Sequence, residues 1–172
     1  MDFLEEFNSE IDHWIKNLEI YHSENLTTIP SEGQWSVGQL YQHLIEDTDF
    51  YLEQIKICFK SVQHAEEQET DDARRMFYNN SFPDIRIEGG ASHASMPQPA
   101  GKAELKEQLV RIRGEMNQLA NQFSDASVSG KTRHPGLGYF SAQQWLQFAA
   151  MHFRHHLRQK KRIDDFLFGT NS

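Results

Sequence analysis

The sequence predicts an all-α fold, a four-helix bundle with one long crossover connection. Three observations carry that expectation. Four long segments repeat apolar residues every three or four positions, the period of one helical face. Two of those segments open on a capping box, the reciprocal Ser–Gln pattern that starts helices. Neither a convincing strand run nor an internal repeat is present, so helices packed on helices are the economical architecture.

The first segment, residues 2–21, places Phe3, Phe7, Ile11, Trp14, Ile15 and Leu18 on one stripe. Residues 25–34 break the pattern, with Pro30 and Gly33 as punctuation. A second helix begins at Ser36, whose Ser36-Val37-Gly38-Gln39 pairs an N-cap serine with a glutamine three residues on. Its stripe of Leu40, Leu44, Tyr51 and Ile55 runs toward Gln63, and the acidic residues 66–72 then read as a solvated loop or frayed end. Residues 81–101, with Pro83, Gly89, Gly90, Pro97, Pro99 and Gly101, form the long crossover. A third helix spans residues 102–123 on Leu105, Leu109, Ile112, Met116, Leu119 and Phe123. After a second loop over 124–139, Ser141-Ala142-Gln143-Gln144 opens the fourth helix with another capping box. Its stripe is Trp145, Phe148, Ala149, His152, His156, Ile163 and Leu167.

Composition bounds the function. The 172 residues suit one domain, 1–172. Seventeen Lys and Arg against 25 Asp and Glu give a formal net charge of −8, which argues against nucleic acid and against docking on an anionic membrane. With 38% apolar and 12% aromatic residues the chain can bury a core, so wholesale disorder is excluded. No apolar run approaches the ~18 residues of a membrane span. The opening Met1-Asp2-Phe3-Leu4-Glu5-Glu6 lacks the basic start of a signal peptide. A soluble, cytoplasmic protein is therefore expected. One cysteine, Cys58, leaves no internal disulfide and no cysteine-based zinc site; it is expected to be a structural, partly buried thiol. A Gly-x-Ser-x-Gly elbow, a phosphate loop and a dinucleotide fingerprint are all missing.

The chemistry gathers on histidine. His152 and His156 lie four apart on the core stripe of the last helix, so they share a face and can bind one metal ion. They can equally be core histidines hydrogen-bonded to neighbours. His155 falls off that stripe, toward solvent or an edge. His43 borders the stripe of the second helix, and Asp47, one turn later, falls closer to its centre. A carboxylate facing a core needs a partner. A histidine ring or a bound water would satisfy it, as outer-shell carboxylates do beside metal-bound histidines; a loop donor would serve as well.

Trp35-Ser36 with His43 on one helix, and His152-x-x-x-His156-x-x-Gln159 on the last, resemble the DinB/YfiT-like superfamily. The Pro135-Gly136-Leu137-Gly138 turn before Ser141 and the following Trp145 look similar too. The resemblance covers nearly the whole chain in order and spacing. It implies a bundle of the DinB type and a divalent metal, nickel or zinc, held by three histidines that become His43, His152 and His156. It also suggests a homodimer formed through exposed apolar helix faces. Related proteins are described as metal-dependent hydrolases or as transferases of low-molecular-weight thiols such as bacillithiol and mycothiol, so a small-molecule substrate is implied. Fold likeness does not choose between these reactions. Three neutral imidazoles leave a divalent ion its full charge and an open position. Water bound there has its pKa lowered toward ~7, and a thiol bound there is deprotonated. The competing expectation is a stress-associated binding or dimerisation module with a structural or vestigial site.

Other residues are weaker candidates. His134 can reach the site as an acid, base or binding group, or be an ordinary loop histidine; His93 can sit on a flap over it. Gln159 extends the inward face beyond His156 and is expected to hydrogen-bond a neighbouring helix or a ligand. His13, His22 and His64 show no partner spacing and belong in solvent. Arg154, Arg158, Lys160, Lys161 and Arg162 can cradle the carboxylates of an anionic thiol or other acidic substrate, but read more simply as the solvated side of the last helix, complementing its dipole.

Overall fold

The computed structural model describes residues 2–83, 96–123 and 129–169. Within them the chain forms α1 (Phe3–Leu18), α2 (Ser23–Thr27), α3 (Val37–Lys60), α4 (Asp71–Asn79), α5 (Lys102–Ala120), β1 (Thr132–His134), β2 (Gly138–Phe140) and α6 (Ala142–Phe168). The long helices start where side chains take up their orphan N–H groups. Asp2 accepts from the amides of Leu4 and Glu5 ahead of α1. Ser36 Oγ accepts from Gln39 N at 3.1 Å while Gln39 Oε1 accepts from Ser36 N at 3.0 Å. Ser141 and Gln144 repeat the exchange at 3.2 and 2.9 Å. Such caps are worth about 1 kcal/mol each, and both capping boxes stand where the sequence predicts them.

α1, α3, α5 and α6 make the bundle. α6 packs on α1 and α3, and α5 packs on the same two. α1 and α3 therefore face each other across one diagonal, and α5 and α6 across the other. In chain order the steps from α1 to α3 and from α5 to α6 cross the bundle, whereas the step from α3 to α5 leads to an adjacent helix. The core lies between the four. Phe7, Ile11, Trp14 and Leu18 of α1 are fully buried in it, each stabilising the fold by roughly 1.5–3 kcal/mol. The Trp14 indole N–H donates to Phe153 O on α6 at 3.2 Å, and Tyr41 Oη of α3 donates to Trp14 O at 2.9 Å. Buried polar groups thus tie three helices together while satisfying one another.

Three small features depart from the expected loops. α2 caps the first crossing and packs on α3. α4 starts at Thr70, whose side chain accepts from Ala73 N at 3.2 Å, and stops at Asn80 in the left-handed region, φ 49°. It buries only Ala73 and Met76, too few to write a stripe. β1 and β2 form an antiparallel hairpin pairing Thr132 with Phe140, Arg133 with Tyr139 and His134 with Gly138, so the expectation of no strand fails. Three-residue strands are too short to alternate legibly. Gly138 has φ +85°, and a Cβ there would fall 2.7 Å from Gln68 O; only glycine fits. Among the described residues no helix is long and apolar enough to cross a membrane.

Candidate metal centre

The Ser36–Gln39 box fixes where α3 begins, and that start turns His43, in the second turn, toward α6. His43 is 6% exposed and His152 8%, while His156 is half-buried. His156 Nε2 lies 3.2 Å from His43 Nε2 and 3.0 Å from His152 Nε2. One nitrogen from each of the three rings lies within 4.8 Å of the other two. Packing of α3 on α6 thus brings together the three histidines singled out in the sequence.

Behind this focus, His156 Nδ1–H donates to Gln159 Oε1 at 2.9 Å. That bond places the proton on Nδ1 and leaves the Nε2 lone pair facing the other two rings. Gln159 therefore turns to its own helix rather than to a neighbouring one. Three ring nitrogens gathered at one point need protons or a cation among them. Two donors on one ion at ~2.0–2.1 Å stand about 2.9–3.4 Å apart, and both Nε2 separations fall in that interval. Imidazole nitrogen also suits zinc and nickel. The residues fit a divalent ion.

Asp47 departs from its expected place near the centre of the α3 stripe. It is His43 that is buried, whereas the Asp47 side chain is 39% exposed at the rim. Its Oδ1 lies 3.7 Å from His43 Nδ1 and its Oδ2 lies 3.6 Å from His152 Nε2. Tyr51 Oη donates to Oδ2 at 3.3 Å. Tyr51 is a site residue that its apolar position in the stripe conceals. Burial first, then the Asp47 charge, pushes its phenol well above the usual tyrosine range, so it stays a donor. Aromatic rings wall the site. Trp35 lies 5.1 Å from His43 between ring centroids, Tyr51 5.8 Å from His152, and Phe82 6.2 Å from His152.

His134 sits elsewhere. Its ring lies against Phe140, Trp145 and Phe148, and its Nδ1 accepts from Gly136 N at 3.2 Å. Trp145 and Phe148 in turn pack on Tyr51, which reaches His152. His134 is therefore separated from the three-histidine focus by a layer of rings and lines an open cleft of about 420 Å³ with Glu67, Thr70, Arg133 and Tyr139. Burial pulls its pKa down to about 4. His155 is half-buried against Phe82, His13, His22 and His64 are exposed, and His93 lies outside the described residues. Cys58 is buried, its Sγ near Thr132 Oγ1 and Phe140 O, and burial raises its pKa; it is not set up as a nucleophile.

The basic run on α6 is largely neutralised. Arg154 bonds Glu10 at 2.8 Å and Glu6 at 2.9 Å, and Lys161 pairs with Asp165. Lys160 departs from the expected solvated face. It is 4% exposed, bonded to Asp164 at 2.6 Å, and lies over the Tyr21 ring.

Comparison with known proteins agrees with this fold. The structure of YfiT from Bacillus subtilis, described as a probable metal-dependent hydrolase with an unusual four-helix bundle topology, is similar with a TM-score of 0.65. The two are 16% identical, over 96% of this chain and 85% of that one. No curated protein matches the sequence. The family model of the DinB superfamily matches residues 4–159, and with a bundle of that fold and most of its length matched, the chain belongs to the DinB superfamily.

Proposed function

We propose that the protein is a metal-dependent enzyme whose His43, His152 and His156 hold one divalent ion, nickel or zinc. Its reaction is hydrolysis or the S-transfer of a low-molecular-weight thiol to a small electrophile. The observation that carries this reading is the convergence of three Nε2 atoms, two pairs of them 3.0 and 3.2 Å apart. When bound, such an ion supplies Lewis-acid polarisation and lowers the pKa of a water or thiol at an open position.

The rest of the chemistry belongs to the chain. Neutral imidazoles offset none of the charge they bind. Gln159 holds His156 in the ligating tautomer. Trp35, Tyr51 and Phe82 keep bulk water off the buried side, which strengthens electrostatic interactions within it. His156, half-buried, marks the side from which a small molecule enters. YfiT, sharing the fold, is described as a probable metal-dependent hydrolase, which supports the same class.

Elemental analysis of the purified protein beside His152→Ala, after dialysis without chelator, tests the reading. Near-stoichiometric nickel or zinc in the wild type and none in the variant is expected. Wild-type protein that takes up no metal on reconstitution would overturn it in favour of a binding module. Assays of ester and amide cleavage and of electrophile conjugation, each with and without added thiol, then separate the two reactions. His43→Ala is the inactive control.

A further inference from the structure

The two hydrogen-bonding side chains beside the three histidines are placed differently. Gln159 stands behind His156, 2.9 Å from the nitrogen that faces away from the focus, which is how an orienting group sits. Asp47 does not sit that way. Its Oδ1 is 3.7 Å from His43 Nδ1, too far for a hydrogen bond. Its Oδ2 instead lies on the focus side, 3.6 Å from His152 Nε2. Tyr51, one turn further along α3, donates to that same oxygen at 3.3 Å. The Tyr51 ring is 5% exposed and stacked on Trp145 at 5.5 Å, so the hydroxyl holds Oδ2 from a fixed platform.

Resting on the three-histidine reading above, we infer that Asp47 is the fourth, anionic donor of the site, aimed by Tyr51 and displaceable by substrate. Among the described residues only the three histidine donors lie mutually within 4.8 Å, so Asp47 joins them by turning its carboxylate inward, from 3.6 Å off His152 Nε2 to the ~2.9–3.4 Å expected between two donors sharing one ion. Displaceability follows from exposure. With 39% of its side chain in solvent, Asp47 can swing outward, as His43 and His152 cannot. A carboxylate among imidazoles also removes one unit of charge from the occupied site. The resting site is thereby less attractive to stray anions than three neutral ligands would leave it.

Cobalt(II) added to the metal-free protein reads the donor set directly through its visible absorption, and competition between protein and a chelator for zinc gives affinity. Asp47→Asn keeps the shape and removes the charge. It is expected to change the position and intensity of the visible cobalt bands and to weaken zinc binding by about 10- to 100-fold. Tyr51→Phe, which removes only the hydroxyl, is expected to weaken zinc binding by a smaller factor. Cobalt bands in Asp47→Asn identical to wild type would overturn the inference while leaving the three histidines in place. Wild-type protein that binds neither cobalt nor zinc would overturn both readings, and His152→Ala shows what that loss looks like.

Discussion

Replacing Gln159 by Leu tests whether one hydrogen bond behind the site governs its affinity. The side chain is half-buried, and its Oε1 accepts the His156 Nδ1 proton at 2.9 Å. Leucine fills the volume but accepts nothing, so the Nδ1–H tautomer, which leaves Nε2 free to ligate, loses its support. A hydrogen bond of this kind is worth about 0.5–1.5 kcal/mol net, which converts to a roughly 2- to 13-fold weakening if it acts wholly through the tautomer. Outer-shell partners of metal-bound histidines are worth about 10- to 100-fold in affinity. The two ranges meet near tenfold, and that is the expected loss. Zinc titration against a chelator of known affinity measures it, and thermal unfolding of the metal-free proteins separates it from any change in stability. Gln159→Glu supplies the opposite sign, because a carboxylate makes the bond charge-assisted and should tighten binding. Affinity of Gln159→Leu within twofold of wild type would refute the tautomer reasoning.

Chelation should leave the bundle folded, because its core residues such as Trp14, Tyr41 and Trp145 are held without the site; far-UV circular dichroism that collapses on metal removal would reassign the ion to a structural role. His134 has an ordinary pKa of 6.5 pulled down to about 4 by burial. The unfolded chain thus takes up its proton first, and the contribution of His134 to stability is full above pH 6.5 and lost as pH falls toward 4. Urea midpoints at pH 7 and 4.5 should drop less in His134→Asn than in wild type. Gly38→Ala would place a Cβ 2.5 Å from Leu26 O and 2.8 Å from Pro99 Cγ. A destabilisation of about 1–3 kcal/mol is expected from that overpacking, read from the shift in urea midpoint, and an unchanged midpoint would show that the backbone at Leu26 and the ring of Pro99 both yield freely.

What could be read beforehand was local. Ser36 with Gln39, and Ser141 with Gln144, are legible because cap and partner lie within one turn. His152 and His156 are legible because the helical repeat places them together. His43 is different: periodicity puts it on a stripe, but only the packing of α3 on α6 brings its Nε2 to theirs, and the family resemblance supplied that juxtaposition. Asp47 reads as more central than it is because α3 is buried over a broad arc at its start, Val37 to Tyr41 being enclosed throughout, so the centre of the apolar stripe does not mark the deepest face. Lys160 hides in a run of cations, and the Tyr21 ring it lies over is far away in sequence. The Tyr51 hydroxyl, the α4 helix and the hairpin fail for a common reason: what decides each is a neighbour from another segment, or a run too short to show its period.

The crossing connections have a consequence for how the site comes into being. α1 packs on α6 and α5, and α3 packs on the same pair, so most partners of an early helix are synthesised late. Of the consecutive bundle helices only α3 and α5 can pair as a hairpin; α1 must wait for the later helices to arrive, which slows folding. A nascent chain that has made His43 still lacks both nitrogens that would share its ion, because they belong to the helix made last among those described. On the three-histidine reading, the site is therefore completed only when α6 is made: a product that stops before it, however helical, offers His43 alone of the three ligands.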